Sequence, residues 1–267
     1  MKWYKSSRIL QGILLGMLGL FTVAPIAWVL GKSLESSLAY SVDSVWTWVC
    51  RYFSLEQYDN VLFHDLEYWA SYWNTIFLTV PTILLAVITT TMAAYGLTVI
   101  GKKWQRRFML VYAVLALLPT QVLLVPQLIV LSKTQLIGVR LAVILIAYCC
   151  PWYVFFLYRL CKGVPEETFE AARVEGAGEW TVFYRVALPQ MRVGIMIFSI
   201  IISADLWGMV EEPLIYIQDA SKYPLSVLFH EMGEELSYAG VVLFSLPIII
   251  IFLEGIQSIM KKEGEGT

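Results

Sequence analysis

The chain has 267 residues, of which 58% are hydrophobic and only 15% charged, with a formal net charge of −2 and a mean hydropathy of +0.68. A soluble domain carries about 25% charged residues, so this composition excludes an ordinary water-soluble globular core. The near-zero net charge conceals a strong asymmetry along the chain.

The first apolar run covers residues 9–31. It exceeds the 7–15 residues of a signal-peptide core, and "VLGKS" is a poor small-residue cleavage site, so a retained helix is expected. Gly31-Lys32-Ser33 resembles the end of a phosphate-binding loop, but Ile26 stands where that loop needs glycine, and a helix precedes it where a strand is required. The connector 32–71 is rich in Trp and Tyr ("VWTWVCRYF", "DLEYWASYW"), which suits a headgroup belt first and a protein contact second. Further apolar runs follow at 72–96, 108–131, 141–160, 193–211 and 239–260. Runs of about 18 or more apolar residues cross a bilayer as helices, since the backbone must satisfy its own hydrogen bonds there. The expected fold is therefore all-α: six transmembrane helices in a single transmembrane domain over 1–267. With the N-terminus inside, only Lys32, Arg51, Lys133, Arg140 and Lys222 of the 19 Lys and Arg fall outside, which predicts two cytoplasmic termini in a multi-pass cell-membrane protein.

The connector 212–238 places Glu212, Asp219, Glu231, Glu234 and Glu235 against Lys222, an acidic outer face. "HEMGE" from His230 lacks the second histidine of a zinc-protease helix, and His64 and His230 read as solvated interface residues. Cys50, Cys149, Cys150 and Cys161 have no metal-ligand spacing and are read as packing residues. No catalytic set, metal site or cofactor site emerges.

The connector 161–192 is the densest in charge. Pro165 suits a first helical turn, with Glu166 and Glu167 at the positive end of the dipole. "TFEAARVE" favours a helix with Glu170 and Arg173 paired at i,i+3. Gly176-Ala177-Gly178 then ends it through a left-handed cap or sharp turn, and "EWTVFYRVA" adds a second amphipathic turn before Pro189. One side, with Phe169, Ala172 and Gly176, is expected to receive another backbone; the other is charged.

Glu170-Ala171-Ala172, Gly176 and Leu188-Pro189 stand at the offsets of the EAA loop. The chain thus resembles the permeases of ATP-binding-cassette importers, with Glu175 where the family commonly has Asp. Over roughly 60–260 it is similar to the shorter permease of the maltose-type, carbohydrate-uptake branch. The likeness includes "WNT" at Trp73-Asn74-Thr75, "AAYGL" from Ala93 to Leu97, Pro119 with Pro126, and Trp207 followed by Pro213-Leu214. Gly208 and Met209 replace the family's Asn and acid, and "KKEGEGT" departs from its glycine-rich basic ending.

The resemblance implies a coupling loop over 161–192 that docks on a separate ATPase through Phe169, Glu170, Ala171, Ala172, Arg173, Gly176, Leu188 and Pro189. It implies a second permease, two P-loop ATPases that hold ATP and magnesium, an extracellular solute-binding protein and no nucleic-acid partner. This chain would be no enzyme. Asn74, Asp205, Trp207 and Glu211 are the substrate-path candidates. Asp205 is the costliest of them inside a span; contact with cargo and a helix–helix hydrogen bond to the partner permease both stay open, as they do for Glu254. Abundant Trp and Tyr favour an oligosaccharide or sugar derivative, with a polyamine or another polar solute as the alternative. A small secondary transporter is the competing class, supported by Asp205 and Glu254 but not by any internal repeat.

Overall fold

The computed structural model of the chain describes residues 2–36, 53–161, 166–232 and 237–264. The Trp-rich segment around residue 47, Cys50, Pro165, Glu234 and Glu235 lie outside the described residues. Helix dominates. In chain order the helices are α1 (Lys2–Ser33), α2 (Glu56–Asp59), α3 (Leu66–Val99), α4 (Lys102–Ala116), α5 (Thr120–Lys133), α6 (Arg140–Ala147) and α7 (Pro151–Cys161). There follow α8 (Glu166–Val174), α9 (Glu179–Val182), α10 (Leu188–Trp207), α11 (Glu211–Tyr216), α12 (Leu225–Met232) and α13 (Tyr238–Gly264). Wide π-type turns cover Asn60–His64 and Phe183–Ala187, and a 3-10 turn covers Ala220–Lys222. Among the described residues the extended pairing is one antiparallel bridge, Glu35 with Phe53.

Among the described residues, four helical stretches are long and apolar enough to cross a membrane: Gly12–Ser33, Leu66–Val99, Glu179–Trp207 and Tyr238–Lys261. The expected third and fourth spans are not continuous helices. Lys102–Ala116 and Thr120–Lys133 meet at 95°, and Arg140–Ala147 and Pro151–Leu160 at 42°. Proline explains both breaks. Pro119 is extended at the start of α5 (φ −60°, ψ 135°) and Pro151 opens α7. Each lacks an N–H and disfavours helical backbone at the residue before it. Pro25, Pro81, Pro126 and Pro247 lie inside helices, where lost backbone bonds are compensated locally.

The chain forms two compact units, Met1–Trp69 with Met232–Leu246, and Ala70–Glu231 with Pro247–Thr267. In the first, the end of α1 is tied to α2 and the residues just before it. The Ser54 N–H donates to Leu34 O, Gln57 Nε2 donates to the carbonyls of Lys32 and Glu35, and the Ser33 and Tyr58 hydroxyls lie 2.8 Å apart. Tyr68 is buried and donates to Gly240 O, and Trp69 Nε1 donates to Leu62 O. These two aromatics of "DLEYWASYW" are therefore each tied to a backbone carbonyl within the unit.

The second unit has two apolar cores. One joins Ala86, Ala94 and Tyr95 of α3 to Tyr153 and Leu157 of α7, Phe169 of α8, Val182 and Phe183, and Met191, Phe198 and Ile202 of α10. The other gathers Leu78, Leu131, Ala142, Val143, Leu206, Met209, Tyr216 and Ile217. Buried Thr75, Thr79 and Thr82 give their hydroxyl protons to carbonyls four residues back, so α3 carries polar groups through its core at little cost. Glu254 of α13 is exposed.

At Gly255 a Cβ would overlap the Ile200 side chain, so α13 and α10 approach closely there. Gly255→Val is expected to lower stability by about 1–3 kcal/mol through overpacking, read as a reduced unfolding temperature in detergent. Gly255→Ala should cost less, because the tip of Ile200 can move. Equal stability of the valine variant would show that this approach is loose.

Candidate functional site

The segment 166–189 folds as the charge pattern requires. Helix α8 ends at Val174 in a Schellman motif: the Gly176 N–H donates to Arg173 O (3.0 Å) and the Ala177 N–H to Ala172 O (3.1 Å). Gly176 takes the left-handed conformation, φ +87°, which glycine adopts without a Cβ penalty. Gly178 is extended and precedes α9. Leu188 is half-buried against the inner core and Pro189 sits exposed in the first turn of α10.

The faces of α8 differ from the sequence expectation. Phe169 is 3% exposed and packs within the chain, and Ala172 lies against the same core. Their face is taken up internally, since an aromatic ring next to an apolar core is not left in water. The surface open to a partner is Glu170, Ala171, Val174, Glu175 and Gly176, continued by exposed Trp180 and Tyr184, whose rings stack at 6.1 Å. Arg173 also differs. Its Nε donates to Glu179 Oε1 at 2.7 Å, in place of the expected pair with Glu170. The bend at Gly176 brings Glu179 back over α8, where it offers two oxygens; its other oxygen accepts from Tyr95 at 3.0 Å.

A second feature is a cavity of about 500 Å³ between α5, the α6–α7 break, the end of α10 and α11. Asp205, Glu211 and Glu212 line it, with Gln121, Gln127, Tyr153, Cys149 and Cys150. Gln121 Nε2 donates to both Glu211 oxygens at 3.3 Å, the Tyr153 hydroxyl donates to Asp205 Oδ2 at 3.2 Å, and Tyr216 donates to Gln127 Oε1. Burial, reinforced by Glu211 and Asp205, pushes the Glu212 carboxyl above its ordinary range. The cavity thus presents acceptors and amide or hydroxyl donors together, the set that polyhydroxy compounds match.

Of the substrate-path candidates, Asp205 and Glu211 line this cavity and the other two do not. Trp207 is 8% exposed and meets Tyr72 edge-on at 6.0 Å. Asn74 is buried; its Nδ2 donates to Ser221 O (2.8 Å) and Tyr223 O (3.1 Å), and its Oδ1 accepts from Arg140. Both are held by contacts within the chain. Asp205 has a partner within this chain, Tyr153. Sequence reasoning missed Tyr153, Gln121 and Gln127, which sit in ordinary apolar stretches, and assigned Cys149 and Cys150 to packing. The proline two residues past Cys149 is the signal that could have opened the helix there.

Apolar helices broken at prolines around a polar cavity, together with a charged helix–turn–helix, define a multi-pass membrane transport protein. The profile of the family described as "Binding-protein-dependent transport system inner membrane component" matches residues 86–259. The chain belongs to that family and is the permease of an ABC importer. It is 27% identical over 204 residues to the "Arabinooligosaccharides transport system permease protein AraQ" of Halalkalibacterium halodurans, covering 73% of each chain. It is 26% identical to the "Diacetylchitobiose uptake system permease protein NgcG" of Streptomyces coelicolor, covering 95% of this chain and 86% of the relative. In fold it is similar to a chain of a bacterial ABC transporter involved in the import of the acidic polysaccharide alginate. That likeness has a TM-score of 0.81 at 20% identity and covers 95% of this chain and 96% of the other.

Proposed function

We propose that this chain pairs with a second permease, two ATPases that bind ATP and magnesium, and an extracellular solute-binding protein to import an oligosaccharide or sugar derivative. Both termini lie in the cytoplasm of a cell-membrane protein, which the distribution of Lys and Arg supports. The chain itself hydrolyses no ATP. The segment 166–189 is its contact with the ATPase, supported by the exposed Glu170, Ala171 and Val174 surface beside the left-handed Gly176 turn.

The cavity carries the cargo reading. Relatives named for arabinooligosaccharides and diacetylchitobiose support a sugar, and the lining of Asp205, Glu211 and Glu212 favours a neutral one. Three carboxylates repel an anionic chain, so uronate cargo of the alginate type is disfavoured. The polyamine alternative keeps one supporting observation, the same carboxylates. Proteoliposomes carrying the complex should take up neutral oligosaccharides presented by the cognate binding protein, at the expense of ATP. Uptake of uronate oligomers or polyamines in their place would overturn the cargo assignment, and uptake without an ATPase would overturn the class of machine.

A further inference from the structure

The last turns of α3 share an apolar core with the 166–189 segment, and Tyr95 is the α3 residue with both ring and hydroxyl contacts to it. Tyr95 is 8% exposed. Its ring packs edge-on to Phe169 of α8 at 6.0 Å and against Phe183 at 5.1 Å. Its hydroxyl donates to Glu179 Oε2 at 3.0 Å, and Arg173 of α8 holds the other oxygen of that carboxylate. One tyrosine therefore touches α8 by its ring and, through Glu179, by its hydroxyl as well. The ion pair is half-exposed, with side-chain exposures of 32% for Arg173 and 54% for Glu179, so by itself it is worth little. The buried ring is the stronger grip, and the charged pair fixes the angle at which α8 lies against it.

The same apolar core continues from Tyr95 and Phe183 to Phe198 and Tyr153. The rings of Tyr153 and Phe198 lie 5.6 Å apart, edge-on, and Tyr153 is the residue that donates to Asp205 in the cavity. Packed cores transmit displacement because they do not deform continuously.

We propose that Tyr95 is a positioning residue for transport, the joint through which movement of α8 is passed to the α3 span, with Glu179 and Arg173 setting the geometry of that joint. The proposal rests on α8 being the ATPase contact. If α8 is displaced by a closing ATPase, Phe169 moves with it, and Tyr95 is the α3 residue it presses on. Loss of the ring would let α8 move without α3, so hydrolysis would continue without transport.

The test uses the assembled complex in proteoliposomes, reading ATP hydrolysis with and without loaded binding protein, and cargo imported per ATP. Tyr95→Leu should still co-purify with the ATPase and hydrolyse ATP at the unstimulated rate. Its stimulation by loaded binding protein and its cargo per ATP should each fall about tenfold, within the usual range of coupling between sites. Tyr95→Phe keeps the ring and should lose about two- to threefold; Glu179→Gln should match it, and the two combined should not be additive, because they break the same contact. A purely structural tyrosine would lower yield and unfolding temperature but leave cargo per ATP unchanged.

Wild-type stimulation and cargo per ATP in an assembled Tyr95→Leu complex overturn the proposal. Should that variant fail to assemble, wild-type cargo per ATP in both Tyr95→Phe and Glu179→Gln overturns it. The underlying assignment of α8 fails separately, if a Gly176→Val complex keeps full stimulation.

Discussion

Gly176→Val is expected to abolish cargo uptake while the chain still inserts and assembles. At φ +87° a residue with a Cβ costs about 1–2 kcal/mol, and a β-branched one is a genuine outlier there. The turn would relax by rotating Gly176, which breaks the two Schellman hydrogen bonds from Gly176 and Ala177 and swings Glu179 away from Arg173 and Tyr95. A Cβ at this position meets nothing within 4 Å in the chain, so the valine offends the backbone and whatever docks outside, not a neighbour within. Gly176→Asn separates the two causes, since asparagine tolerates the left-handed region. Partial uptake by the asparagine variant with none by valine assigns the loss to the backbone. Equal loss in both assigns it to crowding of the docking surface. Normal uptake by Gly176→Val would remove the reason for assigning ATPase contact to this turn.

That turn was legible in the sequence because its cause is local. Glycine at the end of a helix-forming run calls for a left-handed cap, whatever surrounds it. The apolar stretches were legible for a related reason: hydropathy is a sum over many residues. The breaks at Pro119 and Pro151 are single-residue events inside apolar runs, and they change the sum hardly at all. Arg173 shows a different limit. Spacing on a helix pointed to Glu170 three residues before it, but Glu179 competes from beyond the turn and brings a second partner, Tyr95. Which carboxylate wins depends on how sharply the chain reverses at Gly176. Phe169 has the same dependence: its burial follows from where Tyr95 and Phe183 arrive, and they come from other elements.

The cavity was half legible. An aspartate in a span and a glutamate at its end marked Asp205 and Glu211, because charge near hydrocarbon needs a reason. Tyr153 and the two glutamines carry no such flag. Charge does not separate them from the many polar side chains that only satisfy hydrogen bonds. The cavity owes its form to the two broken helices, which turn these side chains inward together. Its carboxylates also make a pH statement. Glu212, held above its ordinary range by burial, takes up its proton at a higher pH than an ordinary glutamate does. Asp219 behaves oppositely. Hydrogen bonds from Ser221 and Lys222 hold its carboxyl down to about 2, so its cap on the Ala220–Lys222 turn persists from neutral pH down to that value and is lost only below it.

Asn74→Ala is expected to destabilise the protein by about 2–4 kcal/mol without altering cargo choice. Asn74 was marked by its place in "WNT", where a polar side chain opens an apolar span, and a cargo contact was one reason for it. The structure supplies another. Its amide nitrogen donates to Ser221 O and Tyr223 O, its oxygen accepts from Arg140, and neighbouring Thr75 accepts the Leu225 N–H at 2.9 Å. Together Asn74 and Thr75 latch the segment before α12 onto α3. Arg140 Nε is buried without a hydrogen-bond partner, so this guanidinium is already under-satisfied and depends on the Asn74 oxygen. Removing the amide strands one cationic group and two carbonyls. Each buried neutral group left unpaired costs about 1–3 kcal/mol, and a charged one more, with water entry recovering part of it. Asn74→Asp keeps an acceptor for Arg140 but loses both donated bonds, so it should fall between wild type and alanine. Thermal unfolding of the purified chain in detergent measures the loss, and protease cleavage within 217–225 should accelerate in the same order. An alanine variant with unchanged unfolding temperature and altered cargo preference would return Asn74 to the transport path.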